Sequence, residues 1–208
     1  MKDEASDATN EQKPKLKTSQ DPESLVVKIC DTNGEEHQLE VARREAALLK
    51  KLDHEAINKF VDFYEDPIVN KTYLVLEHAG NKSLEDFVQE HVVDRGKKLS
   101  EETVRDLMMQ FFVAVSYLHA NYICHRDLKP DNLIISDIEM IADKEIAPKV
   151  KVIDFNVAVE VSKTNPRIRG GTGLREWSAP ETYRSTYSDF KIDSWTLGCV
   201  MYLLCTGN

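Results

Sequence analysis

The run His125-Arg126-Asp127-Leu128-Lys129-Pro130-Asp131-Asn132 places a carboxylate, an ammonium and an amide within six positions of one another. Transfer of a phosphoryl group to a hydroxyl needs such a set: a base to orient the hydroxyl, a cation to steady the moving phosphate, and an oxygen to hold a metal ion. Two other short runs carry groups of the same kind. Leu25-Val26-Val27-Lys28 ends a β-rich stretch on a lysine, and Asp154-Phe155-Asn156 follows an apolar stretch twenty-two residues beyond Asn132.

These groups need elements to hold them, and the periodicity of the chain supplies candidates. Residues 1–24 are almost entirely polar and predict a disordered tail. Residues 25–29 predict a strand, bounded by Asp21-Pro22 and by the turn signal Asn33-Gly34. A helix is expected over residues 39–51, with Val41, Leu48, Leu49 and Leu52 on one side. Two strands are expected over 60–64 and 72–76, then a helix over 83–92 with Ser83 as its cap. A longer helix is predicted over 100–120, where Val104, Leu107, Phe111, Val115 and Leu118 recur at three and four. Ser100 suits its N-cap, and the two acids that follow suit the helix dipole. Short strands are expected over 133–136 and 149–153 around a polar connection, then a long loop over 154–181 and a last helix over 190–205. Strands first and helices after predict an α+β chain.

Composition narrows the partners. The 208 residues are 41% hydrophobic and 30% charged, with a net charge of −9 and a pI of about 5.2. That balance speaks against nucleic acid and anionic membrane. It is compatible with a basic peptide, although ordinary solubility explains it as well. Cys30, Cys124, Cys199 and Cys205 form no C-x-x-C pair, so neither a zinc site nor a disulfide framework is indicated. Reduced thiols fit a cytoplasmic or nuclear setting. The N-terminus has no apolar signal core, and the apolar run 199–205 is too short to span a bilayer.

The eight-residue run, the Asp-Phe at 154–155, Ala179-Pro180-Glu181 and Asp193-Ser194-Trp195-Thr196-Leu197-Gly198 together resemble the eukaryotic-type protein kinases. Lys129 points to their serine/threonine branch. The resemblance implies a kinase-like fold over 25–208, with a small lobe and hinge over 25–79 and a large lobe over 80–208. It implies ATP and Mg2+ as cofactors and a protein with a serine or threonine hydroxyl as substrate. Asp127 is then the base, and Lys129 meets the transferring phosphate. Asn132 and Asp154 hold the metal, and Lys28 clamps the nucleotide phosphates and pairs with Glu45. Glu40 competes for that pairing; Glu45 is preferred because Leu49 then falls where the family packs a leucine on the Phe of Asp-Phe-Gly. Leu76 becomes the gatekeeper of the adenine site. Backbone groups of Glu77 and Ala79 bind the base, and Val26 and Ile134 lie on its two faces. Asp193 is expected to bond backbone near His125 and Arg126.

Arg126 beside Asp127 marks the type switched by an upstream kinase acting on the activation loop, with Ser162, Thr164 and Thr172 as acceptors and Thr164 the preferred one. Asp131 and the acidic surface suggest basic residues before the target hydroxyl. The chain also departs from the pattern. Asn156 replaces a glycine, and asparagine is among the residues that tolerate positive φ there. No glycine precedes Gly34, so a Gly-rich phosphate loop is missing, and the chain stops soon after the expected anchoring helix. A fold truncated at both ends is therefore expected, with little turnover by these 208 residues alone. The alternative reading is a catalytically inactive, pseudokinase-like module that binds partners.

Overall fold

The computed structural model describes residues 24–135, 139–141, 144–146, 148–164, 167–169, 176–184 and 187–207. Residues 1–23 of the polar tail and Thr172 lie outside these residues. The first element, β1 (Leu25–Asp31), leads through the Asn33-Gly34 turn to α1 (Glu36–Leu49), then β2 (Phe60–Asp66) and β3 (Lys71–Glu77). Asn33 and Gly34 both have positive φ, as a tight reversal there requires. The strands form one antiparallel sheet in the order β1-β3-β2.

β3 sits in the middle and alternates as a half-buried strand should. Thr72, Leu74 and Leu76 point inward and the residues between them are less buried. α1 turns Ala42, Glu45, Ala46, Leu48 and Leu49 inward. It starts three residues before the expected position, and Val41 lies off its buried face. The sequence pattern placed the apolar stripe correctly only for its second half.

After the sheet come β4 (Lys82–Ser83), α2 (Leu84–Val88), a single π-helical turn over 89–93, and α3 (Glu101–Ala120). Ser83 does cap α2, in a reciprocal box. Its Oγ accepts from Asp86 N–H at 3.1 Å, and Asp86 Oδ2 accepts from Ser83 N–H at 3.0 Å. Ser100 caps α3 through Thr103 N–H at 3.1 Å. Leu107, Phe111, Val115 and Leu118 on α3 are buried in the stripe that their spacing predicts.

Beyond α3 run β5 (Ile123–Cys124), β6 (Leu133–Ile135), β7 (Glu139–Ile141), β8 (Lys144–Ile146) and β9 (Val150–Val152). β7 and β8 pair as an antiparallel hairpin inside the expected polar connection. β9 lies beside β6 and also meets the end of the α1–β2 connection. Asn58 N–H donates to the Val152 carbonyl at 3.0 Å, and Val152 N–H donates to Ala56 at 2.9 Å. The sheet and the helical part are thereby joined by backbone at the strand that leads into Asp154.

The chain continues through β10 (Val159–Glu160), β11 (Ile168–Arg169), α4 (Glu181–Arg184), β12 (Tyr187–Ser188) and α5 (Lys191–Thr206). α5 packs on α3 and ends at Gly207, whose φ of 77° is the left-handed stop common at helix ends. One apolar core runs from Ala46 and Leu49 through Leu107, Phe111 and Phe155 to Leu197 and Leu204.

Candidate active site

Lys28 lies on β1 opposite Leu74, so its side chain points to the buried face of the sheet, toward α1. Its Nζ donates to both oxygens of Glu45, at 2.9 and 3.0 Å, and to Asp154 Oδ1 at 2.6 Å. Glu45 is 3% exposed, whereas the competing Glu40 is at the surface. Burial pulls the Lys28 pKa down, but Glu45 and Asp154 outweigh it, and the ammonium is held above the ordinary lysine value. Leu49, one turn after Glu45, belongs to the same core cluster as the fully buried Phe155.

The catalytic-loop run is built around two buried anchors. Asp193, at the start of α5, takes backbone bonds from both sides of the loop's bend. His125 N–H donates to its Oδ2 at 3.0 Å and Arg126 N–H to its Oδ1 at 2.8 Å. His119 Nε2 at 2.8 Å and the Cys124 thiol at 3.3 Å also meet Asp193 Oδ2. Burial raises the Asp193 pKa, but the bonds from His119 and the Arg126 amide help to outweigh it, and the carboxyl ends below the usual aspartate range. His119, Cys124 and Asp193 come within 4.8 Å of one another and resemble a metal-ligand cluster. Burial and Asp193 push the Cys124 pKa far up, and the thiol donates its hydrogen bond to the carboxylate. The cluster is a hydrogen-bond hub.

The second anchor is His125. Its Nε2 is 3.0 Å from the Ile153 carbonyl and its Nδ1 is 3.3 Å from Asp127 N–H, which assigns the ring proton to Nε2. Its ring meets Phe155 edge-on at 4.7 Å. Burial lowers its pKa, so the imidazole is neutral. Between the anchors Arg126 is held at φ 72°, and beyond them Asp154 is held at φ 61°. Neither is a glycine, so both are strained positions fixed by their surroundings.

The loop presents Asp127, Lys129 and Asn132 together. Asn132 Nδ2 donates to the Asp127 carbonyl and to Asp127 Oδ2, both at 2.9 Å. Lys129 Nζ stands 3.6 Å from the same oxygen. The Asn132 amide nitrogen is thus committed, and its carbonyl oxygen is the group available to a hard cation.

Asn156 does not use the positive φ that asparagine tolerates; the left-handed residue of the Asp-Phe-Asn run is Asp154. Asn156 Oδ1 is instead buried with no hydrogen-bond partner among the described residues. Its carbonyl is held by Arg44 Nη2 at 3.2 Å, a contact that sequence reasoning did not find.

At the edge where the resemblance implies that the base binds, Leu76 is 8% exposed and faces Val26 across the β1–β3 pair. Ile134 on β6 lies against Gly80, where a Cβ would approach its Cγ2 to 2.8 Å. With φ 138° as well, residue 80 accepts glycine alone without strain. Glu77 N–H donates to the Lys59 carbonyl and His78 N–H to the Ser24 carbonyl, both at 3.0 Å. These bonds leave Ala79 as the expected backbone donor. Ser162 and Thr164 are exposed and bonded to each other at 3.0 Å. Ala179 is buried, and Thr196 Oγ1 of α5 holds the adjoining segment through the Trp177 carbonyl at 3.1 Å.

A lysine paired to a helix glutamate, a left-handed aspartate beside that pair, and an Asp-Lys-Asn loop hung on a buried aspartate form the arrangement that the protein kinase resemblance implies. Residues 14–208 match the family described as protein kinase domain, and the chain belongs to that family, in its eukaryotic serine/threonine form. Similar proteins include serine/threonine-protein kinase PLK1 of Xenopus tropicalis, 33% identical over 171 residues, 82% of this chain and 26% of the relative. Serine/threonine-protein kinase ULK1 of Homo sapiens is 34% identical over 164 residues, 79% of this chain and 15% of the relative. Serine/threonine-protein kinase RAD53 of Saccharomyces cerevisiae is 29% identical over 199 residues, 89% of this chain and 22% of the relative. The chain thus corresponds to about a quarter or less of the length of these relatives.

Proposed function

We propose that the chain binds Mg-ATP between the sheet and the helical part and is part of a protein kinase that transfers the γ-phosphate to a serine or threonine hydroxyl of a protein. The observation that carries this reading is the convergence of Lys28, Glu45 and Asp154 from three separate elements, with hydrogen bonds of 2.6–3.0 Å. Lys28 is the cation for the α- and β-phosphates, and Glu45 fixes its direction. Asp154 and the Asn132 carbonyl are oxygen donors of the hard type that suits magnesium. When bound there, the metal neutralises the phosphate oxygens. Asp127 orients the hydroxyl and takes its proton, with Asn132 holding the carboxylate in place. Lys129 stands beside it for the charge on the transferring group. Adenine lies between Val26 and Ile134, against Leu76 and the backbone of 77–79. A protein kinase acting on the exposed Ser162 or Thr164 is the proposed upstream partner, and basic residues near the target hydroxyl are the proposed preference. The setting proposed is the cytoplasm or nucleus, without nucleic acid or membrane as partner.

Transfer of labelled phosphate from ATP to a serine-containing peptide library tests the reading. Asp127→Asn is expected to abolish transfer and to leave nucleotide affinity nearly unchanged. An Asp127→Asn variant as active as the wild type would show that the base lies elsewhere.

A further inference from the structure

Glu77 ends β3, and there the ladder toward β2 is half replaced. A hydrogen-bonded pair in an antiparallel ladder exchanges two bonds, each N–H donating to the other's carbonyl. Glu77 N–H donates to the Lys59 carbonyl at 3.0 Å. The Lys59 N–H makes its bond to Glu77 Oε1, at 2.9 Å, in place of the Glu77 carbonyl. That same oxygen accepts from the Lys151 ammonium. Lys151 is on β9, directly opposite Ile134 and three residues before Asp154. One side-chain pair thus ties together the start of the hinge, the floor of the base site and the strand that delivers Asp154.

We propose that the Glu77 carboxylate, fixed by Lys151, takes over the acceptor role of the ladder and so releases the Glu77 backbone carbonyl for the amino group of adenine. This rests on the nucleotide reading above and adds a cause to it. A carbonyl engaged by Lys59 N–H would have one lone pair fewer, and a direction set by the strand. The ionised carboxylate is the stronger acceptor, so it wins the amide. Glu77 and Lys151 are in this sense positioning residues. They also favour adenine over guanine, because guanine carries a carbonyl where adenine carries its amino group.

The test is calorimetry with the full chain and four probes: adenosine, Mg-ATP, Mg-GTP and magnesium tripolyphosphate. Glu77→Leu removes the side-chain acceptor and returns the Lys59 N–H to the backbone carbonyl. It is expected to weaken adenosine and Mg-ATP equally, by about tenfold, a change of about 1.4 kcal/mol. Its preference for Mg-ATP over Mg-GTP should narrow, and its tripolyphosphate affinity should stay as in the wild type. Glu77→Gln keeps an acceptor oxygen and Lys151→Arg keeps the cation, so both should bind adenosine close to wild type, whereas Lys151→Met should fall between. If Glu77→Leu does not fold, the Lys151→Met and Lys151→Arg pair decides the matter alone. Wild-type adenosine affinity in both Glu77→Leu and Lys151→Met would overturn the inference and leave the nucleotide reading standing. A loss that extends equally to tripolyphosphate would overturn it too, since it would mark general loosening of the site. Failure of the wild-type chain to bind adenosine or Mg-ATP at all would overturn both readings.

Discussion

At the scale of single residues the site is held by buried groups in fixed protonation states. His125 is neutral when folded, because burial lowers its pKa below the ordinary imidazole value. The unfolded imidazole takes up a proton as pH falls through about 6.5 and the folded one does not. The unfolded state then binds more protons, so stability is flat above that pH and declines below it. For this one group the decline is at most about 1.4 kcal/mol per pH unit. Asp193 does not contribute in that window. Its folded pKa lies below the usual aspartate range, so the stability it adds is present above that range and is lost only at lower pH. Urea unfolding at pH 7.5 and 5.5 should show the wild type weakening in acid, and His125→Phe, although less stable throughout, should lack that part of the slope. An identical slope in both proteins would exclude His125 as its source. Asn156 offers a second test at this scale. A buried unpaired acceptor costs about 1–3 kcal/mol, and the backbone there does not need a positive φ. Asn156→Ala should therefore raise the melting midpoint by a few degrees, roughly 2–4 °C per kcal/mol recovered. A lowered midpoint would mean that the amide is paired after all.

At the scale of elements, the parts with strong local signals were legible and those held by tertiary contacts were not. The α3 stripe, the Ser83 and Ser100 caps and the existence of β1 and β3 follow from residue type and spacing alone, although β1 runs two residues further and β3 one residue further at each end than expected. The pairing of Lys28 with Glu45 came instead from the resemblance to the protein kinases, with Glu45 preferred over Glu40 because Leu49, one turn further along the same face, falls where that family packs a leucine. The β7–β8 hairpin was read as a polar connection, since its six strand residues include three charged side chains and no Asn-Gly or Asp-Gly turn. What fixes the end of that connection comes from a distant helix. Gln110 of α3 donates to the Pro148 carbonyl at 3.0 Å and accepts from Val150 N–H at 3.2 Å. Nothing in the sequence marks Gln110, because it stands among apolar neighbours as any half-buried helix residue does. Gln110→Leu keeps the bulk and strands both backbone groups, so it should destabilise by about 1–3 kcal/mol. Denaturant titration of the two proteins measures this, and equal midpoints would show that water replaces the amide.

At the scale of the whole molecule, one core links the sheet to the helical part, and no helix among the described residues is long and apolar enough to cross a membrane. Because the proposed nucleotide site touches both parts of that core, Mg-ATP should stabilise the chain as a unit. At a hundred times its Kd the gain is about 2.7 kcal/mol, read as a single shifted transition in a thermal melt. Lys28→Met should lose most of that shift, and separate transitions for the two parts would contradict a common core. The bonds to Asp193 carry a further consequence, one of time. The amides of His125 and Arg126 are shaped by a carboxylate 68 and 67 residues further along the chain. During synthesis at about 5–20 residues per second, the catalytic loop leaves the ribosome roughly 3–13 s before the residue that bends it. In that interval the Arg126 amide lacks the carboxylate to which it donates in the folded chain, and the nascent chain carries every residue of the loop but not this anchor of its geometry. The geometry of the loop therefore arrives with a late helix, and a ribosome stalled anywhere between residues 133 and 192 holds a loop that is complete in sequence and lacks the carboxylate that bends it.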